Sequence, residues 1–403
     1  MGFQQGLSGL NTASKSLDVI GNNVSNANTV GFKQSRAEFA DVFAASLIGS
    51  GAPQIGIGSK IANIAQQFTQ GNITSTDNTL DIAINGSGFF RLSNNGAVTY
   101  TRNGQFEMDK NGYIISSDGK RLMGNSPENL NGSTPVEIQI DTSDLQPVPS
   151  TKITGQYNLN AEAEPIDQTI TPFDPSDPTS YTNSTAIKVY DSLGNAHTVQ
   201  NYFVKTADNN WNVYTTADGA DITPTPTPVM QFTTTAAYDV ANSTVGDVSF
   251  TPAGANPITL SQDYSKSTQY GSVFSINRQV QDGYTSGRIA SFSIGPDGII
   301  LGRYTNNETK QLGRVMLANF GNPNGLVSLG GNEWAATSES GDELLGSPGS
   351  STMGLLQSSA LEDSNVDLTA ELVNMITAQR TYQANAQTIK TEDQILQTLV
   401  NLR

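Results

Sequence analysis

The sequence predicts a mainly β fold with α-helical termini, in a nested, elongated chain of more than one domain. Both ends carry apolar residues at heptad spacing, which is typical of amphipathic helices with a single apolar face. The long region between them alternates in polarity and is broken by Asn-Gly and Asp-Gly pairs, which is typical of β-hairpins. At 403 residues the chain is also too long for one ordinary domain.

The N-terminal segment carries a narrow apolar stripe that predicts an amphipathic helix within residues 1–28. Ser14 and Gly21 complete the heptad pattern, and Ile20 is assigned to the same face near the end of the helix. The stripe residues are Phe3, Leu7, Leu10, Leu17 and Val24.

The C-terminal segment, within 364–403, repeats the pattern over a longer stretch. Ser364 and Asn365 are expected to cap this helix, and Asp367 to lie in its first turn, where the helix dipole favours an acid. No Gly or Pro interrupts 366–403, so the helix should be a rod of roughly 54 Å. The stripe residues here are Leu368, Leu372, Met375, Tyr382, Ile389, Leu396 and Val400.

Two interpretations of the terminal helices are open at this point. The helices either pack against the chain's own domains or form a bundle with helices of other chains. Polar residues at stripe positions, Gln379 and Asp393, favour a seam between helices over a dry core. The preferred hypothesis is therefore that 1–28 and 364–403 form a coiled-coil-like inner bundle.

Between the helices, the segment after Gly88 has the pattern of a β-meander. Its alternating runs are separated by NNG, RNG, KNG and SDG, which favour tight turns because Asn-Gly and Asp-Gly adopt positive φ readily. A related pattern returns over Ala290–Phe320. We therefore predict one discontinuous β-domain from 72–146 and 284–363, reached from the N-terminal helix through a connecting segment, 29–71.

The middle of the chain differs in composition from its flanks. Residues 147–283 hold 11 of the 17 prolines and have five basic against thirteen acidic residues, so their net charge is −8. This shift predicts a separate outer β-domain, inserted into the discontinuous one. Such nesting would place both chain termini at one end of the molecule.

The composition excludes several classes of function. A net charge of −16 argues against nucleic acid and anionic membranes as partners. The absence of Cys excludes disulfides and thiolate chemistry. No apolar run is long enough for membrane insertion, and no apolar region with a cleavage site follows Met1. We therefore expect an extracellular protein that is exported without a cleaved signal peptide.

No pattern of residues points to a catalytic, cofactor-binding or metal-binding site, so an enzyme is not expected. The single histidine, His197, is expected to be a solvated residue at a strand end, and Asp191 to accept the hydrogen bonds of a turn. The Gly-x-Gly of Asn85–Phe90 lacks a third glycine and a following helix. Asp109–Ile114 lacks the ligands that a calcium loop needs.

The segment that follows the first helix is rich in amides and turn formers. Asn22, Asn23 and Asn26 could fix the register against neighbouring chains, as a buried Asn does in a coiled coil, or could simply cap and turn the chain. Both interpretations are open. Gly31 and Phe32 are expected to turn the chain and anchor it as it enters the β-domains.

Motifs at both ends give the sequence a family resemblance. SGLNTASKSLDVIGNNVSNANTVGFKQSRAEFADVF, over Ser8–Phe43, resembles the N-terminal motif of the bacterial flagellar rod and hook proteins. NVDLTAELVNMITAQRTYQANAQTIKTEDQILQTLVNL, over Asn365–Leu402, resembles their C-terminal motif. The resemblance is strong over about 1–125 and 284–403 and weak between them.

What the resemblance implies is a subunit of a helical tube, lined by the terminal helices and covered by the β-domains. The length and the single inserted domain favour the hook branch, in which the tube is a flexible universal joint between the rod and the filament. The implied partners are further copies of the chain, the rod distal protein, the hook cap, the hook–filament junction protein and the type III export apparatus. The alternatives are a distal rod-type axial protein and, from another class, a secreted β-rich adhesin.

One short motif concerns export. Phe39 and Phe43 match the Phe-x-x-x-hydrophobic export signal that the resemblance implies for early flagellar substrates. The other interpretation is that both are core aromatics of the connecting segment.

Overall fold

The computed structural model describes residues 2–42, 56–350 and 352–401. It confirms the predicted fold class, because strands dominate and the α-helices in the described part lie at its two ends. Helix α1 spans Gly2–Ser25 and helix α2 spans Leu368–Asn401.

Helix α2 begins later than the sequence suggests. Asp367 is its cap, since the Asp367 carboxylate accepts hydrogen bonds from the backbone N–H groups of Thr369 (2.9 Å) and Ala370 (3.1 Å). The assignment of Asn365 as a cap is therefore wrong. Its side chain instead accepts a hydrogen bond from Gln34 N (2.7 Å) and donates one to Gln67 O (2.8 Å), which ties the start of α2 to the connecting segment.

The strands fall into three groups along the chain. The first group is β1 (Ser35–Val42), β2 (Gly58–Gln66), β3 (Ile73–Ser75), β4 (Ile82–Asn85), β5 (Phe89–Asn94), β6 (Ala97–Thr101), β7 (Phe106–Met108), β8 (Ile114–Ser116), β9 (Arg121–Asn125) and β10 (Val136–Glu137). The second is β11 (Lys152–Asn158), β12 (Asn183–Tyr190), β13 (Ala196–Ala207), β14 (Asn210–Ala217), β15 (Ala220–Asp221), β16 (Val229–Gln231), β17 (Asp247–Phe250), β18 (Ile258–Asp263) and β19 (Ser275–Gln281). The third is β20 (Ile289–Ile294), β21 (Ile299–Tyr304), β22 (Thr309–Val315), β23 (Leu317–Asn319), β24 (Val327–Gly330), β25 (Glu333–Ala335), β26 (Leu344–Gly346), β27 (Leu355–Ser358) and β28 (Ala360–Glu362), with a 3₁₀ turn at Pro323–Gly325.

The chain divides into two compact units. The first unit combines the described residues up to Asp141 with Ser291–Gly302 and the residues from Lys310 onward. The second unit is Thr142–Ala290 with Arg303–Thr309.

In the first unit, strands from the two ends of the chain pair with each other. The main sheet runs β20-β21-β22-β9-β5-β6-β25-β24, so early strands such as β5 and β6 lie among late ones. Near the C-terminus, β28 pairs with β3 and β27 pairs with β4, both antiparallel. The aromatic core behind this sheet is closed by Phe68, which meets Phe89 and Trp334 edge-on at ring-centroid distances of 5.5 and 5.4 Å.

The predicted hairpin turns are confirmed in part. Asn95 and Gly96 join β5 to β6 with φ of 51° and 94°, as a two-residue hairpin loop requires. The prediction of a tight turn at Asn103-Gly104 is wrong. Gly104 has no positive φ, and it is needed there for another reason, because a Cβ would lie 1.7 Å from the backbone oxygen of Ile82.

The second unit is a pair of sheets around its own core. One sheet has the order β17-β18-β11-β19 and the other β12-β13-β14-β15, with β16 beside β14. Large buried side chains from both sheets, among them Tyr157, Phe203 and Trp211, fill the space between them. This unit therefore has a core of its own.

His197 lies at the start of β13 in the second unit, as expected for a strand-end residue, but it is partly buried and not solvated. Its ring lies between two carboxylates, with Nδ1 2.6 Å from Asp218 Oδ2 and Nε2 3.3 Å from Asp191 Oδ2. Burial opposes the charged imidazole, but the hydrogen bonds and charges of both acids prevail and raise the pKa of His197. The expected turn role of Asp191 is confirmed, since its Oδ1 accepts hydrogen bonds from the N–H groups of Leu193 and Asn195 at 2.8 Å.

The His197 cluster predicts a pH-dependent stability of the second unit. Because the folded pKa of His197 is raised, its stabilisation is fully present below about pH 6.5, the usual pKa, and is lost as the pH rises through the folded value. His197→Gln should therefore lower the free energy of unfolding by about 1–2 kcal/mol at pH 5.5, and by less above pH 8. Urea denaturation followed by Trp211 fluorescence, in a Trp334→Phe background, measures this.

The matched control is Asp208→Asn, which removes an exposed acid of the same unit. Its effect should not change between pH 5.5 and pH 9. A loss of stability in His197→Gln that is equal at both pH values would contradict an ionic role for the imidazole.

Candidate functional site: the terminal helices and their anchor

The two terminal helices pack against each other in antiparallel fashion. A Cβ added to Gly6 would lie 3.0 Å from Ile389 Cγ1, and one added to Gly9 would lie 2.7 Å from the Asn385 side chain. Ala13 continues this face of α1 and is buried. We call Gly2, Gly6, Gly9 and Ala13 the small-residue face, which lets the backbones approach closely.

The predicted apolar stripe of α1 lies to the side of this contact. Phe3 and Leu7 are 46% and 45% exposed. Leu10, Leu17 and Val24 are only partly buried. The stripe is therefore only partly covered within the chain, and it is most exposed at Phe3 and Leu7. Ile20, which the sequence pattern places on the same stripe, is buried, contrary to that expectation.

Helix α2 leaves apolar residues uncovered as well. Leu368, Leu372, Tyr382 and Leu396 are exposed. Met375 and Ile389 are partly buried, and the side chain of Val400 lies outside the described part. The sequence pattern missed three further exposed apolar residues of this helix, which are Val373, Ile376 and Ile395.

Sequence reasoning also missed which residues join the helices within the chain. The signal was present, since Gly2, Gly6, Gly9 and Ala13 are themselves spaced three and four apart. It is weak because glycine lowers helix propensity and adds nothing to an apolar pattern. The consequence is that Phe3 and Leu7 lie to the side of this contact, whereas Ile389 of α2 packs against Gly6 within it.

The amide-rich segment serves the chain's own fold in this structure. Asn23 is 1% exposed and makes a two-way bridge to Ser35, with Asn23 Nδ2 donating to Ser35 O (2.8 Å) and Ser35 N donating to Asn23 Oδ1 (2.9 Å). Asn26 Nδ2 donates to the backbone and side-chain oxygens of Asn22 (3.0 and 2.9 Å), which closes the last turn of α1. Asn22 itself is exposed.

Gly31 and Phe32 lie where the chain turns into the first β unit. Gly31 has φ of 71°, and a Cβ there would meet the backbone N of Asn103 at 2.6 Å, so the position requires glycine. Phe32 is buried beside it. Gly31 N donates to the backbone oxygen of Glu362 (2.8 Å), which joins this turn to the strand before α2.

A buried ion cluster follows directly. Lys33 Nζ lies 2.6 Å from Glu362 Oε1, and Arg102 Nη1 lies 3.1 Å from Glu362 Oε2. The Lys33 and Glu362 side chains expose no surface, and that of Arg102 exposes 4%. We call these three residues the anchor cluster. It joins the exit of α1, strand β28 and the segment after β6.

The anchor cluster also satisfies backbone groups of the connecting segment. Glu362 Oε1 accepts a hydrogen bond from Gly71 N (2.9 Å), and Lys33 Nζ donates to Thr69 O (2.7 Å). Burial lowers the pKa of Lys33, while the charge of Glu362 acts in the opposite direction. Glu362 is thus the acid that opposes the effect of burial on Lys33.

Phe39 lies on β1 and is 42% exposed, while Phe43 lies outside the described residues. No three His, Asp or Glu side chains of the described ranges cluster as metal ligands would. None of the described helices is long and apolar enough to cross a membrane.

The fold and the helix pair define a class of protein. The first of the two β-rich units carries a terminal helix pair with several exposed large apolar side chains, as is typical of subunits that bury such residues against neighbouring copies.

Comparison with known families identifies the class more closely. Family models match along most of the chain: the flagella basal body rod protein model at 3–33, the flagellar hook protein FlgE/F/G D1 domain at 83–157, the flagellar basal body protein FlaE D2 domain at 158–284, and the flagellar basal body rod FlgEFG protein C-terminal model at 357–402.

Curated relatives agree over the full length. The chain is 45% identical to the flagellar hook protein FlgE of Escherichia coli (strain K12), with 100% of both chains covered. It is 32% identical to that of Borreliella burgdorferi, over 99% of this chain and 98% of the relative. The chain belongs to the flagellar hook protein family and is a structural subunit of the hook. The rod-type and adhesin alternatives are not favoured.

A solved structure shows the same fold. The crystal structure of the Helicobacter pylori flagellar hook protein FlgE2 superposes with a TM-score of 0.56 at 15% sequence identity. The match covers 72% of this chain and 100% of that one.

The anchor cluster predicts a large cost for removing its shared acid. Glu362→Gln would leave two buried cations beside a neutral amide, and breaking a buried ion pair in this way costs about 3–5 kcal/mol. We expect the free energy of unfolding of the first unit to fall by that amount, as measured by chemical denaturation with Trp334 fluorescence.

The neighbouring acid provides a control. Asp363→Asn alters a side chain that lies at the surface and accepts one hydrogen bond, from Thr74 Oγ1 at 3.3 Å. It should change stability by less than about 1 kcal/mol. Equal effects of both substitutions would show that the anchor cluster has no special role.

Proposed function

We propose that the chain polymerises into a helical tube in which the terminal helices form the inner layer. The observation that carries this proposal is the exposed part of the apolar stripe, chiefly Phe3 and Leu7 on α1 and Leu372 on α2. Leaving such surface in water costs roughly 25 cal/mol per Å², and neighbouring copies can bury it. Electron microscopy of the purified protein under polymerising conditions tests the proposal, since tubes are its direct consequence.

The proposed layers follow the domain boundaries. Residues 1–28 and 364–403 would form the inner assembly domain and 29–71 the connection. The discontinuous β-domain of 72–146 and 284–363 would form the middle layer, and 147–283 the outermost layer. The acidic, Pro-rich composition of 147–283 suits wet outer contacts that change register at low cost while the tube bends as a universal joint.

Further partners are part of the same proposal. At its two ends, the tube would meet the rod distal protein, the hook cap and the hook–filament junction protein. The chain would reach the cell exterior through the type III export apparatus without a cleaved signal, with Phe39 and Phe43 as a proposed export signal. The exposure of Phe39 on β1 is compatible with that role.

The first test concerns the apolar stripe. Leu7→Gln with Leu372→Gln should change the unfolding free energy of the monomer by no more than about 1 kcal/mol, because the two residues are already 45% and 43% exposed. The critical concentration for polymerisation should rise at least about tenfold, since each leucine contributes about 1.5 kcal/mol or more when buried. Sedimentation of the polymer measures it.

Leu193→Gln is the matched control, because this leucine is 61% exposed but lies in the second unit. It should polymerise like the wild type. Normal polymerisation of the Leu7/Leu372 double variant would exclude the stripe from the subunit contacts.

The second test concerns the outer domain. Val148 and Tyr284 exchange both backbone hydrogen bonds at 3.0 Å, so the chain enters and leaves 147–283 side by side. A variant that joins Gln146 to Tyr284 through a short Gly-Ser link should still form tubes, but with altered curvature or stiffness in electron micrographs. Complete loss of polymerisation would contradict the assignment of 147–283 to an outer, accessory layer.

A further inference from the structure

A groove lies in the first unit between α1, α2 and the β1–β2 hairpin. Its volume is about 630 Å³. Its walls include Ala13, Ser16 and Ile20 of α1, Asn374 and Ala378 of α2, and Arg36 of β1. Glu371 lines it from the first turn of α2, and we call it the Glu371 groove.

Glu371 is a buried acid, and one of its two carboxylate oxygens lacks a hydrogen-bond donor among the described residues. It is 3% exposed, and its Oε1 accepts hydrogen bonds from Asn23 Nδ2 (3.3 Å) and from Gln34 Nε2. Its Oε2 is buried and has no hydrogen-bond donor among the described residues. Both donors are neutral amides, so no positive charge balances the carboxylate there. A buried carboxylate in this condition is costly unless a cation reaches it.

A cation of suitable geometry lies on the other side of the same helix. Arg380 follows Glu371 by nine residues, which is two and a half turns, so the two side chains leave α2 on opposite sides, about 13.5 Å apart along the axis. Arg380 is exposed, and no acid in the described ranges lies within ion-pair distance of it. Its guanidinium can donate two parallel hydrogen bonds to one carboxylate.

We propose that the Glu371 groove of one subunit receives Arg380 of a second copy of this chain. An acid on one side of a helix and a cation on the other define a head-to-tail contact, which repeats from copy to copy and generates a helical assembly. The contact rests on the proposed polymerisation and gives it a specific pair of residues. It would fix the register of neighbouring α2 helices, which the apolar stripe alone leaves loosely determined.

Arg36 offers a competing partner within the chain. It is exposed, lines the same groove and has no acid partner among the described residues. If the Arg36 side chain turned towards Glu371, it would donate to Glu371 Oε2 within the same chain. Arg380 of a second copy would then not be needed to pair with this acid. The experiment must therefore separate the two arginines.

A double-mutant cycle on polymerisation does so. Glu371→Gln and Arg380→Gln should each raise the critical concentration about tenfold or more, and the double variant should be no worse than either single variant. Arg380→Lys should lie in between, since a lysine keeps the charge but not the paired donors. Lys390→Gln removes another exposed cation of α2 and is the matched control, with wild-type behaviour expected.

The outcomes are distinct. Additive effects of the two substitutions, or wild-type polymerisation of Arg380→Gln, would overturn the contact while leaving the tube intact. A raised critical concentration in Arg36→Gln, coupled to Glu371→Gln in place of Arg380→Gln, would assign the acid to the chain's own arginine. Because Arg380 is exposed, its variants fold even if Glu371→Gln does not, and monomer circular dichroism verifies this. A wild-type protein that forms no tubes would overturn the proposed polymerisation itself.

Discussion

The first unit depends on the single carboxylate of Glu362. Two cations, Lys33 and Arg102, and the backbone N–H of Gly71 converge on it from parts of the chain that are far apart in sequence. A buried ion cluster of this kind adds little net stability, because desolvation offsets most of the Coulomb attraction. Its effect is geometric: only one arrangement of the α1 exit, the connecting segment and β28 satisfies every charge, so the helix pair has one position relative to the sheet.

With the helix pair in one position, the two faces of α1 have different roles. The small-residue face meets α2, and the leucines and Phe3 lie one position further around the helix, where the chain covers them only in part. Had the large side chains formed the internal contact, folding would have buried the surface that association needs. The helix pair is thus held by close backbone approach and by polar links such as Asn23 with Ser35, which keeps the apolar area available.

The parts that the sequence predicted are those with local causes. Heptad spacing predicted both helices, and Asn95-Gly96 predicted a hairpin, because both signals depend on neighbouring residues. The failures involve distant partners. Asn103-Gly104 resembles a turn, but the backbone of Ile82 determines its conformation. Ile20 and Asn23 are buried by elements that no local pattern specifies, and nothing in the sequence around Glu362 indicates that Lys33 lies against it, 329 residues away.

The large sequence separation of these partners also determines when, during folding, the terminal helix pair can form. In the second unit, the strands pair among residues of one continuous segment, apart from the short Arg303–Thr309 stretch that clusters with them. In the first unit, β3 and β4 pair with β28 and β27, and α1 packs against α2, so these contacts require both ends of the chain at once. Contacts of such sequence separation form late, because loop closure must be completed before they contribute. A chain whose C-terminal part is not yet free to fold therefore lacks both the anchor cluster and the helix pair. The exposed apolar side chains therefore take their position on the helix pair only once both ends of the chain have folded together.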